Sequence, residues 1–453
     1  MKKNVDMING KLLSNMILFA FPVLMTGVLQ TLYSSADAFI VGRYDSALAL
    51  GAVGSSTSTI NMIIGLFIGI ALGTNVLVAR YFGAGNMEKV KKATYTGFII
   101  SIVSGIAAMI AGLFLADPVA RMLKLDADII DMAILYMKIY FLGIPFMSMY
   151  NFLSSALRGI GDSKNPMYCS VSMGALNVIL NIVFVKYMSM GVAGVAIATV
   201  ISQAFSVVLV LIILAKSEIG FRLKEISFDK KICVDTIKIG LPSGLQGTIF
   251  SFSNTINISG VNYFGAAAAT GNSVALQVEG LLYAALNSIT VSVVPFVSQN
   301  IGAKKPEKIN KILFTGWGLA ITVGLVLSTL SYLLKYQLVD IFTSSEEPAL
   351  KAEIIKYAVT KFRWTILTYF LVGFMEIPGG VLRGMGKTFM SMLMSVVGVC
   401  CFRITWQLLV FPLFLTPDVL FMAYPISWIA TGMAYTVAYI IVKKKFDKKY
   451  LSA

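Results

Sequence analysis

Apolar runs of about 20 residues recur from one end of this chain to the other, and they limit its possible folds more than any other feature. A run of that length matches the hydrocarbon thickness of a lipid bilayer. Inside hydrocarbon the backbone N–H and C=O groups must pair with one another, so each run predicts a helix. We predict an all-α polytopic membrane protein with twelve transmembrane helices, near residues 15–41, 51–79, 94–116, 132–156, 168–188, 192–215, 235–263, 272–297, 311–334, 357–381, 388–411 and 418–442.

The amount and placement of charge agree with that class. Only 13% of the 453 residues are charged and 57% are hydrophobic, whereas a soluble domain is about a quarter charged. The net charge of +15 could indicate a nucleic-acid partner. However, the basic residues concentrate in the two terminal tails and in alternate loops, which is the positive-inside pattern. We therefore expect no nucleic-acid partner, a multi-pass protein of the cell (inner) membrane in contact with lipid, and both termini in the cytoplasm.

Two segments of the chain repeat almost the same sequence. Leu-Arg-Gly-Ile-Gly at 157–161 returns as Leu-Arg-Gly-Met-Gly at 382–386, an offset of 225, and Pro22 has a counterpart in Pro242, an offset of 220. Such a duplication predicts an N-terminal lobe at 1–215, a cytoplasmic loop at 216–238 and a C-terminal lobe at 239–453. Each lobe has six predicted helices, so the lobes are expected to be parallel repeats related by a pseudo-two-fold axis along the membrane normal.

Duplicated halves in a hydrophobic chain are typical of secondary transporters. The chain has no histidine, which excludes His-ligated metals and histidine-based catalysis. Its four cysteines lack metal-site spacing, and a Gly-x-x-x-x-Gly-Lys nucleotide loop is absent from the sequence. We expect neither an enzyme nor a protein with a cofactor or a structural metal. Coupling to an H⁺ or Na⁺ gradient would then fall to carboxylates within the membrane.

Three carboxylates lie inside the predicted spans: Asp37, Glu279 and Glu376. A charge in hydrocarbon is costly, so such groups generally face a cavity or a partner and are functional candidates. We predict that these three bind the coupling cation, together with the amides of Asn177 and Asn181. The alternative for Glu376 is a purely structural ion pair with Arg383.

Further polar, aromatic and methionine side chains on the same helices are predicted to bind substrate. Amides at these positions could instead join helices to one another. Aromatic and thioether groups suit varied amphipathic cations, although many of them could simply face lipid. The predicted substrate-binding residues are Gln30, Ser34, Tyr140, Met147, Tyr150, Gln246, Asn254, Asn257, Tyr283, Asn287 and Arg403.

These patterns resemble the multidrug and toxic compound extrusion (MATE) transporters along nearly the whole chain. The resemblance rests on Pro22, on the segment Ala-Asp-Ala-Phe-Ile-Val-Gly at 36–42, on Gln-Asn-Ile-Gly-Ala at 299–303 and on the two Leu-Arg-Gly-x-Gly segments. It implies an antiporter that exports organic cations and related compounds in exchange for inward H⁺ or Na⁺. It also implies that Asp37 belongs to the cation-coupling site. We also expect the protein to be a monomer.

The chain departs from that family at two places. Many members carry an acid where this chain has Asn181, and others carry one near Phe250. Glu279 and Glu376 could compensate, which would place more of the ionisable chemistry in the second lobe. The alternative function is a flippase for lipid-linked saccharides of the same superfamily. Such a flippase needs a strongly basic cleft for pyrophosphate, and Arg403 is the one clear candidate.

The repeat offsets relate two of the acids to amides in the other half. At an offset of 220 Asp37 corresponds to Asn257, and at 225 Glu376 corresponds to Asn151. We therefore expect a symmetric scaffold whose ionisable groups are not symmetric.

Overall fold

The computed structural model describes residues 4–122, 125–342 and 347–451, and every regular element in those ranges is a helix. The terminal residues 1–3 and 452–453, which belong to the tails predicted to be cytoplasmic, lie outside the described ranges. The first half of the chain contains α1 (Leu12–Tyr44), α2 (Ala47–Gly83), α3 (Met87–Met122), α4 (Ala127–Gly159), α5 (Lys164–Asn181) and α6 (Gly191–Lys216).

The second half follows after a single 3₁₀ turn, Leu223–Glu225. It contains α7 (Lys230–Asn262), α8 (Ala266–Gly302), α9 (Lys308–Leu333), α10 (Lys335–Phe342), α11 (Pro348–Lys361), α12 (Phe370–Gly384), α13 (Thr388–Ser395), α14 (Phe402–Thr405), α15 (Phe411–Phe414) and α16 (Pro417–Leu451).

Short π-helical segments continue or join several of these helices. Ile182–Tyr187 extends α5 and Phe362–Ile366 extends α11, while Val396–Cys401 and Trp406–Val410 join α13, α14 and α15. A π-helical turn widens the helix by one residue and is frequent at functional sites.

Ten described helices are long and apolar enough to cross a membrane, or eleven when the bent pair Pro348–Ile366 and Phe370–Gly384 counts as one span. The protein is therefore a multi-pass, all-helical membrane protein. Helix α7 coincides with the predicted span at 235–263 but is not among the ten. It begins with Lys230, Lys231, Asp235 and Lys238 and later carries several amides, which lower its hydropathy. The count of twelve spans stays a prediction.

The chain forms two compact units whose boundaries fall inside helices. Unit 1 comprises Met1–Asp6 and Phe21–Gly244, and unit 2 comprises Met7–Ala20 and Leu245–Ala453. The first turns of α1 therefore belong to unit 2, and the first half of α7 belongs to unit 1. The change within α1 comes next to Pro22, whose missing N–H weakens the helical hydrogen bonding.

Within unit 1, α4 is the central helix and packs against α2, α3 and α6. Its side chains Met137, Phe141 and Ile144 are completely or almost completely buried in an apolar cluster with Phe67 of α2 and Ile100 of α3. In unit 2, an apolar cluster around Val261, Phe411 and Phe421 joins α7, α15 and α16.

Helices α2 and α7 approach so closely in unit 1 that glycine is required on both. A methyl group at Gly73 would lie 2.1 Å from the carbonyl oxygen of Thr236, and one at Gly240 would lie 2.2 Å from that of Ile70. Gly69 and Gly244 are in similarly close contact, so each helix presents glycines four residues apart. This small-residue spacing allows the two helix backbones to touch.

We expect Gly73→Ala to lower the melting temperature of the purified protein by several degrees. The added methyl group must displace the backbone of α7, and overpacking of this kind costs about 1–3 kcal/mol. Gly65→Ala, on the same helix, is the matched control because a methyl group there meets no atom within 4 Å. Equal melting temperatures for both variants would contradict the close α2–α7 contact.

Candidate functional site

Unit 1 contains a partly open cavity of about 270 Å³ between α1, α2, α4, α5 and α6. Asp37 is the one aspartate, glutamate, lysine or arginine among its lining residues. Five residues predicted to bind substrate also line this cavity: Gln30, Ser34, Tyr140, Met147 and Tyr150. The predicted coupling residues Asp37 and Asn177 lie there too. The structure thus brings seven of the predicted residues around one space.

A chain of side-chain hydrogen bonds connects Asp37 to α5 and α6. The amide of Asn181 donates to the Asp37 carboxylate, and its nitrogen also lies 3.3 Å from the Oδ1 atom of Asn177. The Asn177 amide in turn donates to the hydroxyl of Thr199 at 3.2 Å. Asn177 and Asn181 therefore hold one oxygen of Asp37 in a fixed position, while Asp37 has no cationic partner within 4 Å among the described residues.

The packing of α1 on α5 sets the position of Asp37. Tyr33, one turn before Asp37, lies against Gly174, where a methyl group would come within 1.9 Å of the tyrosine ring. The Tyr33 hydroxyl donates to the carbonyl oxygen of Val171 at 3.3 Å. Because Gly174 leaves room for the ring, the next turn of α1 brings Asp37 to the level of Asn177 and Asn181.

Sequence reasoning missed several polar residues that line the cavity. On α6 these are Thr199, Ser202, Gln203 and Ser206, and on other helices they include Tyr33, Thr57, Asn61, Tyr136 and Asn151. The α6 group has the spacing i, i+3, i+4 and i+7, which defines one helical face. That polar stripe in an otherwise apolar span was a usable signal. Tyr136 and Tyr33 gave none, since tyrosines at helical spacing are common in any membrane protein.

The predicted acid Glu279 lies in unit 2 beside a lysine that the sequence analysis did not single out. Its carboxylate is 3.4 Å from the Nζ atom of Lys361, and that amine donates to the side-chain oxygen of Asn272 at 2.9 Å. Lys361 is completely buried at the end of α11. A lysine inside a predicted span is itself a functional candidate, so this residue could have been found from the sequence.

Arg403 is buried near this pair, on α14. Its Nε atom donates to the Ser427 hydroxyl at 3.0 Å, and its guanidinium carbon lies 4.0 Å from the ring centre of Tyr424 and 5.7 Å from that of Trp428. Arg403 is thus held by one hydroxyl and two aromatic rings of α16.

Glu376 forms a separate ion pair in unit 2. Its carboxylate oxygen accepts a hydrogen bond from the Nη2 atom of Arg383 at 3.1 Å, and both side chains are largely buried. This is the geometry of the structural alternative. In unit 1, Asn151 stands at the position that corresponds to Glu376, and the Nε atom of Arg158 is buried without a hydrogen-bond partner among the described residues.

The remaining predicted substrate residues are spread over unit 2. Gln246 donates to the Ser395 hydroxyl at 3.1 Å, so it links α7 to α13. On α7, Asn257 is buried and Asn254 is exposed. On α8, Tyr283 is exposed and Asn287 is half-buried. None of these five residues lines the cavity of unit 1.

The chain matches the MatE family model over residues 22–184 and 242–408, which is more than half of its length and includes both halves of the duplication. It is 26% identical to the probable multidrug resistance protein YoeA of Bacillus subtilis, over 85% of this chain and 84% of that one. It is also 26% identical to the probable multidrug resistance protein NorM of Thermotoga maritima, over 86% and 83%.

Among solved structures, the chain is similar to MATE in complex with MaL6. The two superimpose with a TM-score of 0.91 over 99% of this chain and 100% of that chain, at 20% sequence identity. The two chains therefore share the same fold.

If the Glu376–Arg383 pair is structural, Glu376→Gln should lower stability because Arg383 stays buried without a negative partner. Removing one member of a buried ion pair costs about 3–5 kcal/mol. The double variant Glu376→Met/Arg383→Met should recover most of the loss, as apolar side chains of similar volume replace both charges. Thermal unfolding in detergent measures both effects. A double variant no more stable than the single one would contradict a structural pair.

Proposed function

The chain belongs to the MatE family, and on that premise we propose that it is a secondary active antiporter that exports amphipathic organic cations in exchange for inward protons. The MatE family comprises transporters, and two bacterial relatives are described as probable multidrug resistance proteins. We place the protein in the cell membrane. We propose a monomer, because unit 1 of a single chain forms the whole cavity.

One observation carries this proposal: the single carboxylate Asp37 lies without a cationic partner in a cavity lined mainly by aromatic, apolar and amide groups. A buried unpaired carboxylate is strongly destabilising unless a cation or a proton neutralises it. An organic cation and a proton are therefore alternative partners for the same group. That mutual exclusion is the basic requirement of an antiporter.

The cavity walls suit an amphipathic cation. Tyr33, Tyr136, Tyr140 and Tyr150 line it, and tyrosine rings attract a desolvated cation through their π faces. Met147 adds a flexible apolar surface that can fit substrates of different shape. When the Asp37 carboxylate gains a proton, its attraction for the organic cation is lost and release follows.

We propose H⁺ as the coupling ion, with Na⁺ as the alternative. Asn181 already donates a hydrogen bond to the carboxylate, so this amide presents its nitrogen to Asp37 and not an oxygen ligand. Na⁺ prefers several oxygen ligands, and here the amides would have to turn over to supply them. Glu279 and Glu376 each have a cation beside them in unit 2, so we assign the exchange to Asp37, Asn177 and Asn181.

The flippase alternative receives no support from the cavity. A pyrophosphate group needs arginine or lysine donors, and the residues that line the cavity of unit 1 include neither.

Asp37→Asn should abolish the drug resistance that the protein confers on a drug-sensitive host. The amide keeps the shape and the hydrogen-bonding ability of the side chain but removes the charge that both cations compete for. Minimum inhibitory concentrations for several organic cations measure the effect, with immunoblots of membranes to show equal expression. Asp45→Asn, at the residue that follows the same helix and lies outside the cavity lining, should keep full resistance. Resistance retained by Asp37→Asn would exclude this role for Asp37.

Proteoliposomes with an imposed gradient identify the coupling ion. We expect an outward-directed proton gradient to drive uptake of a radiolabelled organic cation, and a sodium gradient at constant pH to drive none. Asn181→Leu should reduce proton-driven uptake at least tenfold, because Asp37 loses the hydrogen bond that positions it; one such charge-assisted bond is worth about 1.5–3 kcal/mol. Uptake driven by sodium alone would favour the alternative ion.

A further inference from the structure

The buried charges at the centre of unit 2 do not balance. One carboxylate, Glu279, lies 3.4 Å from Lys361, and Arg403 is a second cation in the same region of the unit. The exposed fractions of Glu279, Lys361 and Arg403 are 8%, 0% and 5%. With both basic groups protonated, the three side chains carry a net charge of +1 that the packed interior must hold.

Other acids of unit 2 do not supply the missing negative charge. Glu376 is engaged with Arg383 at 3.1 Å. Asp418, on α16, accepts a hydrogen bond from the indole nitrogen of Trp364 at 2.6 Å. Among the described residues neither acid lies within 4 Å of a Lys361 or Arg403 nitrogen. A buried cation without a counter-ion costs several kcal/mol, so the cluster favours an added anion.

Arg403 is presented in a form that can bind a carboxylate. Its Nε atom is fixed by Ser427, and Tyr424 supports one face of the guanidinium. The structure gives its two Nη groups no hydrogen bond to a described residue. A guanidinium held in one plane by such contacts is well suited to pair with the two oxygens of a carboxylate.

The surroundings favour an anion with an aromatic or apolar body over a small hydrated ion. Phe421, Tyr424 and Trp428 lie on one face of α16, and Tyr369 packs edge-on against Trp428 at 5.4 Å. The face of α8 that carries Glu279 continues one turn on with Tyr283, which is 48% exposed. This face of α8 therefore runs from the buried Glu279 to an exposed aromatic side chain within one turn.

We propose that Lys361 and Arg403 form a second ligand site, within unit 2, for the carboxylate of an aromatic amphiphile. Glu279 is the built-in competitor: its carboxylate occupies Lys361 when the site is empty and gives it up when the ligand carboxylate arrives. The substrates would then include zwitterions as well as organic cations. The claim that these ligands are exported rests on the proposed function. The site itself is tested by binding alone.

Rhodamine 110 and rhodamine 123 are a matched pair of probes for this site. They share one cationic fluorophore, but rhodamine 110 has a free carboxylate where rhodamine 123 has its methyl ester. Fluorescence polarisation with the full-length protein in lipid nanodiscs measures both affinities. We expect Arg403→Gln and Lys361→Met to weaken the binding of rhodamine 110 at least tenfold, which corresponds to about 1.4 kcal/mol. The affinity for rhodamine 123 should change less than about twofold.

Three further variants separate binding from a loss of structure. Glu279→Gln should strengthen rhodamine 110 binding, because it removes the competing carboxylate; a merely structural role of the cluster predicts a loss instead. Arg403→Lys should retain part of the affinity. Arg363→Gln is the matched control, since Arg363 is exposed two residues after Lys361 and should leave both probes unchanged. Melting temperatures identify any variant that is not folded.

The proposal is overturned if folded Arg403→Gln loses both probes equally, or if it binds rhodamine 110 as tightly as the wild type. It is also overturned in favour of an inorganic anion if chloride, compared with gluconate, stabilises the protein in an Arg403-dependent manner while the two rhodamines bind alike. Binding is measured without transport. Failure of the unit 2 site therefore appears in the binding assay, whereas failure of the proposed export function appears in the resistance assay of Asp37→Asn.

Discussion

The cost of holding an ionised side chain among apolar helices governs the internal chemistry of this protein. A carboxylate or an amine away from water needs a partner, and the partner determines what the group can do. Asp37 has only amide partners, so it remains available to a cation or a proton. Glu376 has Arg383, so its charge is already satisfied. Glu279 is intermediate, since it shares a crowded region with two cations.

Close helix packing that depends on glycine shapes unit 1 and positions Asp37. Gly174 receives the ring of Tyr33, and the glycines of α2 and α7 bring two backbones into contact. Both arrangements depend on the absence of a side chain at one position. The same packing that lets α1 approach α5 thus brings Asp37 to Asn181, so the proposed coupling site depends on helix packing as much as on residue type.

The duplication produces two units with different chemistry. In unit 1 the cavity holds one acid and no base, while the ionised groups in the interior of unit 2 are paired or clustered acids and bases. Asn151 stands where unit 2 has Glu376, and Lys361 has the aromatic Tyr136 as its counterpart at the same offset of 225. The two halves therefore differ in charge: the cavity of unit 1 is lined by one acid and no base, whereas the interior of unit 2 is richer in positive charge.

The helices and several residues of the candidate site could be predicted from the sequence. Apolar runs of bilayer length predict the helices because a backbone in hydrocarbon has no other way to satisfy its hydrogen bonds. Asp37, Asn177 and Asn181 were identified because polar groups in such runs are costly and few. The same rule applied to Lys361 would have found it. The α6 stripe from Thr199 to Ser206 was readable from its spacing, whereas Tyr33 and Tyr136 were not, because tyrosine occurs as readily on a lipid-facing surface.

The sequence by itself determined the class of protein, the duplication and the short list of ionisable groups, because each follows from composition and spacing along the chain. The tertiary structure decided which of those groups have partners. Whether Glu376 meets Arg383, whether Lys361 reaches Glu279, and whether Asp37 faces a cavity depend on how helices distant in the sequence pack together. A sequence does not show whether a charged side chain is isolated or paired. Only its neighbours in the folded protein distinguish a coupling group from a structural one.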